Sequence, residues 1–144
     1  IENLLSIQNN EMEEISGYDG ISLEISNASN IKRLTAETRL VLCDKIKRFR
    51  DRKVELWFDD FKIDDLVILS EFGDILDGIK IDKGEIGAVW FNEEIKIIRD
   101  NFETLPILLE GVETIDSLYS AKLNNIPYVQ GFLWKEKILS FYFN

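Results

Sequence analysis

Two adjacent aspartates, Asp59 and Asp60, are the residues of this sequence whose type and spacing most clearly indicate chemistry. They follow the hydrophobic segment Val54–Phe58, whose mixed apolar pattern predicts a strand that is buried on both faces. Two neighbouring carboxylates at a strand end repel each other unless a cation neutralises them or one of them stays protonated. The pair therefore predicts a cation site or, more simply, the acidic first turn of a helix.

The composition limits the chemistry that the rest of the chain can supply. The sequence contains no histidine and one cysteine, which excludes Ser-His triads, most zinc sites and an internal disulfide. Any metal would be held by oxygen atoms, a ligand set that favours Mg²⁺, Mn²⁺ or Ca²⁺. The formal charge of −10 argues against a nucleic-acid polymer or an anionic membrane as the main partner. We expect no membrane segment and find no signal-peptide pattern in this chain.

The elements that must position these residues are strands alternating with helices, in a chain whose 144 residues match one ordinary domain. The strands are predicted at residues 21–26, 54–58, 78–82, 106–110 and 127–131. The helices are predicted at residues 35–52, 64–72, 88–102, 114–124 and 136–143, with a weaker helical pattern at 1–15. We expect Thr114 to be an N-cap. The alternation predicts a parallel sheet with right-handed crossovers.

Every predicted strand ends in or near a charged or amide side chain. These residues are Glu24, Asp59 with Asp60, Lys80 with Asp82, Glu110 and Gln130. Functional groups in parallel α/β folds gather at the carboxyl ends of the strands, so we expect these side chains to meet on one rim. Convergent carboxylates on one rim predict an oxygen-ligand metal site with room for two cations. The simpler alternative is that these side chains cap the helices that follow them.

Five short motifs give the chain a resemblance to the EAL domain family. They are Leu23-Glu24-Ile25-Ser26, Phe58-Asp59-Asp60-Phe61, Ile79-Lys80-Ile81-Asp82, Glu110-Gly111-Val112-Glu113-Thr114 and Val129-Gln130-Gly131-Phe132-Leu133. They occur in the order of the family and at about its spacing. The resemblance implies an α/β fold, a TIM-like (β/α) barrel that is incomplete in this chain, with residues 1–144 forming a single domain that lacks the first strands. It also implies a role in bacterial cyclic-di-GMP signalling in the cytoplasm.

The same resemblance implies roles for individual residues. The expected metal ligands of a two-cation site for Mg²⁺ or Mn²⁺ are Glu24, Asp59 and Asp60. Lys80 matches the lysine that orients the attacking water, and Glu110 matches a residue that acts as a ligand or general base. The supporting or substrate-rim positions are Asp82, Glu113 and Gln130. In active members such a site hydrolyses cyclic di-GMP to the linear dinucleotide.

The sequence also departs from the family pattern. No Glu-x-Leu motif precedes Glu24 at the expected distance, and the asparagine of the family's next strand is not found. Lys62-Ile63-Asp64 replaces a Gly-Thr-Gly loop, and Asn27 stands where a glutamate is expected to anchor that loop. Losing these glycines removes residues that adopt positive φ without strain. Because a TIM-type barrel needs around 250 residues, we expect further polypeptide upstream in the natural protein, or an oligomer that covers the open sheet edges.

Three functional hypotheses follow. We expect a degenerate EAL domain that binds cyclic di-GMP, a protein partner or a second copy of itself as a regulatory module, because incomplete ligation weakens a two-metal mechanism. The alternative is an active, metal-dependent cyclic-di-GMP phosphodiesterase. A third hypothesis is an unrelated α/β domain whose acidic rim binds a structural cation.

Overall fold

The computed structural model of the chain describes residues 1–87 and 91–133. Its strands are β1 Ser22–Ile25, β2 Glu55–Phe58, β3 Gly78–Asp82, β4 Ile107–Glu110 and β5 Tyr128–Val129. Its α-helices are α1 Glu2–Ser6, α2 Asn9–Ser16, α3 Ala36–Asp51, α4 Leu66–Phe72, α5 Phe91–Asn101 and α6 Ile115–Leu123. Short 3₁₀ helices cover Ala28–Arg33, Ile63–Asp65, Gly73–Ile75 and Lys83–Gly87. The helix predicted at 136–143, and residues 88–90 of the one predicted at 88–102, lie outside the described residues.

The strands form one parallel sheet in the order β1-β2-β3-β4-β5. Each strand lies beside the strand that follows it in the chain, and each connection contains a helix. Within residues 1–87 and 91–133 the sheet does not close into a barrel. The predicted alternation and the predicted incomplete α/β barrel are therefore confirmed, and all the carboxyl ends of the strands lie at one edge. In the same two ranges, no helix has the length and apolarity needed to cross a lipid bilayer.

The helices pack on one face of the sheet, which we call the helix face. Its strand residues are apolar and buried: Ile25, Leu56, Phe58, Ile79, Ile81, Ile107 and Leu109. The predicted apolar stripe of α3, formed by Leu42, Ile46 and Phe49, is fully buried, and α3 contacts β2. Burying one such side chain contributes about 1.5–3 kcal/mol, so this face holds the sheet and helices together.

The opposite face of the sheet is more open than the sequence pattern predicted. β2 was expected to be buried on both faces, and this prediction is wrong, because Glu55 is exposed and Trp57 is only half-buried. The described helices cover the other face alone, which leaves these alternate positions partly in contact with solvent. β3 is the strand buried on both faces from Gly78 to Ile81. Trp57 packs directly over Gly78, where a Cβ would lie 2.2 Å from its ring.

Local capping explains where several helices begin. The predicted N-cap at Thr114 is confirmed, because its Oγ1 accepts a hydrogen bond from the amide of Ser117 at 3.1 Å. The helical pattern at residues 1–15 forms two helices rather than one. Lys45 donates to the carbonyl oxygens of Leu5 and Ile7, which ends α1 there. The chain then re-enters a helix at Asn9.

Candidate metal centre

The polar residues predicted at the strand ends share the open face of the sheet. Register partners in parallel strands point to the same face, and successive residues of a strand alternate between faces. The register places Glu24 of β1 beside Trp57 of β2, and Asp82 of β3 beside Glu110 of β4. Lys80 lies two positions before Asp82 and shares its face. The open face therefore collects the charged side chains that the helix face excludes.

Asp59, Asp60 and Glu110 form an acidic cluster at the carboxyl edge of the sheet. One carboxylate oxygen from each residue lies within 4.8 Å of the other two. Asp59 and Glu110 are half-buried, whereas Asp60 is exposed. Hard divalent cations such as Mg²⁺ or Mn²⁺ take several oxygen ligands of this kind and complete their coordination with water. The donor set therefore fits the predicted cation site, and no other set of three possible ligand residues comes this close together among the described residues.

Asp60 reaches the acidic cluster through a left-handed backbone conformation. Its φ is 50°, which aspartate tolerates better than most residues other than glycine. The next amide, that of Phe61, donates to the carbonyl oxygen of Lys80 at 2.9 Å. The side chain of Phe61 is almost completely buried. These two contacts fix the chain directly after Asp60, so the turn forms although it contains no glycine.

Lys80 is a buried cation beside the acidic cluster. Its Nζ donates to Glu24 Oε1 at 2.5 Å and to Glu110 Oε1 at 3.3 Å. Burial lowers the pKa of Lys80, but the hydrogen bond to Glu24 and the charge of Glu110 outweigh burial and raise the pKa above its ordinary value. Lys80 therefore stays protonated at neutral pH and links β1 to β4 through two ion pairs.

Glu110 shows the electrostatic effect expected of crowded carboxylates. Burial raises the pKa of Glu110 above its ordinary value, and the charge of Asp59 with a hydrogen bond between the two residues raises it further. Lys80 acts in the opposite direction without cancelling these effects. A carboxyl group that binds its proton more tightly is one response to a second carboxylate nearby. Another response is a bound cation, which the same oxygens can accept.

The remaining predicted residues lie around the acidic cluster rather than within it. Glu24 is about half-exposed and contacts Lys80. Asp82 Oδ1 accepts a hydrogen bond from the amide of Gly84 at 2.7 Å, which closes the turn after β3. Glu113 forms an ion pair with Lys83 at 2.7 Å. Gln130 is exposed directly after β5.

Asp65 is a candidate that the sequence did not single out. Its buried carboxylate contacts Ser29 and Lys32, both in the 3₁₀ helix that follows β1. We call these three residues the Asp65 clamp. In the sequence, Asp65 looks like an ordinary acidic residue at the start of the predicted helix 64–72. Ser29 lies 36 residues away along the chain, so no local pattern could have identified the contact.

No protein-family model and no curated protein matches the sequence. Solved structures do match it. The EAL domain of Mycobacterium smegmatis DcpA is 19% identical, with a TM-score of 0.65 over 89% of this chain and 61% of that one. The FimX EAL domain from Pseudomonas aeruginosa, bound to c-di-GMP, is 13% identical, with a TM-score of 0.65 over 92% and 57%. The PaMucR phosphodiesterase in complex with c-di-GMP is 19% identical, with a TM-score of 0.59 over 86% and 49%.

These matches concern the fold. The chain spans between 49% and 61% of the length of these three structures. Identities of 13–19% establish similarity of architecture, and function requires an argument from the site itself. The resemblance inferred from the five sequence motifs is confirmed at this level. Over most of its length, the chain has the fold of an EAL domain.

Proposed function

We propose that the chain is an EAL-type module of bacterial cyclic-di-GMP signalling that binds the dinucleotide or a protein partner, including a second copy of itself, without turnover. The observation that carries the proposal is the acidic cluster beside Lys80, at the carboxyl edge of a sheet with the EAL fold. Solved structures of this fold include complexes with c-di-GMP. We expect the module to act in the cytoplasm, as the resemblance implies.

Charge explains why a cation belongs in this proposal. The phosphodiester groups of cyclic di-GMP are anionic, and a chain with a formal charge of −10 repels them. Mg²⁺ or Mn²⁺ held by Asp59, Asp60 and Glu110 would offset that repulsion and lower the pKa of a bound water. Lys80 supplies a fixed positive charge at the same edge, because its pKa is raised. The cluster and the lysine together form a place for an anionic ligand on an acidic protein.

Two features favour binding over turnover. The shortest contact of Lys80 is the ion pair with Glu24 at 2.5 Å. This contact engages the ammonium group that would otherwise orient a water molecule. The acidic cluster brings three carboxylate ligands together among the described residues, which suits one cation better than two. A two-metal displacement needs both ions to be held.

The alternative function is an active cyclic-di-GMP phosphodiesterase, and one contact favours it. Lys80 Nζ lies 3.3 Å from Glu110, which belongs to the acidic cluster. An ammonium group at this position can hold a water molecule in line with a phosphodiester bond without competing for a cation. Glu110 can accept the proton of that water, because its raised pKa makes it a stronger base than an ordinary carboxylate.

The test measures binding and turnover in the same samples. The full-length protein is titrated with cyclic di-GMP in the presence of Mn²⁺ by calorimetry, and the mixture is then analysed for the linear dinucleotide by chromatography. We expect saturable binding without linear product. Asp59→Ala is expected to abolish the Mn²⁺-dependent binding, because it removes a member of the acidic cluster. The matched control is Asp100→Ala, an exposed aspartate in the last turn of α5, at the opposite end of the sheet.

Each outcome separates the hypotheses. Linear product that disappears in Asp59→Ala but persists in Asp100→Ala would establish the phosphodiesterase. Binding without product supports the receptor. If neither cyclic di-GMP binding nor turnover is detected, while Mn²⁺ still binds, dinucleotide binding and phosphodiesterase activity are both refuted, and binding of a protein partner is the part of the proposal that is left.

A further inference from the structure

The Asp65 clamp joins two segments that are distant in the chain. Ser29 Oγ donates a hydrogen bond to Asp65 Oδ2 at 2.5 Å, and Lys32 Nζ lies 2.5 Å from Asp65 Oδ1 in an ion pair that departs from ideal hydrogen-bond geometry. Lys32 also donates to the backbone carbonyl of Asp64 at 2.6 Å. The 3₁₀ helix after β1 is thereby fastened to the segment after β2, which carries Asp60 at its start.

The burial of Asp65 calls for an explanation beyond helix capping. The residue is 1% exposed, and aspartates are almost never buried to this extent unless they are paired. Asp65 occupies the N-cap position of α4, yet its side chain makes no capping hydrogen bond to that helix. Its carboxylate is directed at the segment after β1 instead. Asp65 therefore does not cap α4 with its side chain, and its carboxylate binds Ser29 and Lys32 instead.

The clamp borders the proposed metal centre. A cavity of about 510 Å³ lies between the two segments, and its lining includes Asn27, Ser29, Asp60, Lys62 and Asp82. The loop from Asp60 to Asp65 contains no glycine and begins with a left-handed residue, a conformation that persists only when the surrounding structure fixes it. The burial of Phe61 fixes the near end of this loop, and the clamp fixes the far end.

We propose that the Asp65 clamp is a positioning device for the metal centre: it fixes the loop 61–65 and thereby holds Asp60 in its left-handed, cation-binding conformation. Asp65 does not touch the cation and acts through the loop. The proposal rests on the proposed function, because it assumes that the acidic cluster binds a divalent ion. Residues that orient metal ligands from outside the coordination sphere typically change affinity by about 10–100-fold when removed. We expect a value near tenfold here, since Phe61 still holds the near end.

The experiment measures Mn²⁺ affinity by calorimetric titration of the full-length protein. Asp65→Asn is expected to weaken Mn²⁺ binding about tenfold. The matched control is Asp64→Asn, which removes the same charge from the neighbouring exposed aspartate, whose side chain is not part of the clamp. Lys32→Met should also weaken Mn²⁺ binding. Lys32→Arg should keep most of the wild-type Mn²⁺ affinity, because arginine retains the positive charge.

The outcomes distinguish this proposal from the proposed function. If the wild-type protein does not bind Mn²⁺, both fail together. If the wild-type protein and Asp65→Asn bind Mn²⁺ equally, the clamp has only a structural role and this proposal alone is overturned, even when the variant melts at a lower temperature. Should Asp65→Asn fail to fold, Ser29→Ala and Lys32→Met decide the matter, since each removes a single contact of the buried carboxylate.

Discussion

Replacing Lys80 with methionine tests the electrostatic balance of the metal centre. Methionine keeps much of the apolar stem and removes the charge. The Lys80 side chain is 10% exposed, and its partners Glu24 and Glu110 are 48% and 21% exposed. Exposed ion pairs contribute up to about 1 kcal/mol, and breaking a fully buried pair costs about 3–5 kcal/mol. This half-buried site lies between the two, so we expect a loss of about 2–3 kcal/mol.

Thermal unfolding checks this value in EDTA and in Mn²⁺. For a chain of this size the loss corresponds to a melting temperature about 6–12 °C lower in EDTA. Mn²⁺ should raise the melting temperature of Lys80→Met more than that of the wild type, because the cation then replaces the missing positive charge among the carboxylates. Lys96→Met, at an exposed position of α5, is the control and should stay within about 2 °C of the wild type.

Two results would refute this reasoning. An unchanged melting temperature of Lys80→Met in EDTA would mean that the ion pairs do not offset the repulsion among the carboxylates. Equal Mn²⁺-induced shifts in the variant and the wild type would mean that the cation binds too far from Lys80 to replace its charge.

Two further predictions concern Glu110 and Gly131. The pKa of Glu110 is raised in the native state above its ordinary value of 4.5. Native protein without metal therefore binds this proton more tightly than unfolded chains do, and the resulting contribution to stability is present below pH 4.5 and is lost as pH rises from there through the native pKa. Glu110→Gln should remove that loss and eliminate stabilisation by Mn²⁺, as urea unfolding between pH 4 and 7 will show. Gly131→Ala should destabilise the protein by about 1–3 kcal/mol in urea unfolding, because a Cβ there would lie 2.2 Å from the Val112 carbonyl oxygen. The control is Gly84→Ala, which should cost less, because the added Cβ would approach only the side chain of Asp82.

The features predicted correctly from the sequence are those with local causes. β3 was predicted with its observed bounds, because Ile79 and Ile81 alternate with Lys80 between Gly78 and Asp82. The N-cap at Thr114 depends on an amide three residues away and was predicted for that reason. The gathering of Asp59 and Glu110 needed only one general rule, that parallel strands bring their carboxyl ends to the same edge.

The features that the sequence did not reveal depend on distant partners. The break after α1 involves Lys45, 40 residues from Leu5. The Asp65 clamp likewise involves a partner on another segment. The half-open face of β2 could not be predicted from its own residues, because exposure there depends on which other elements cover the sheet.

The division of the sheet into an apolar helix face and a charged open face separates the residues that make the chain fold from those that could make it react. Asp59 raises the pKa of Glu110 by charge repulsion and forms no ion pair with Lys80, so losing Asp59 relieves that repulsion without removing an apolar side chain from the core. Selection for folding alone therefore does not preserve the chemistry. A cation ligand such as Asp59 can therefore be replaced while the buried apolar residues of the helix face keep the architecture intact.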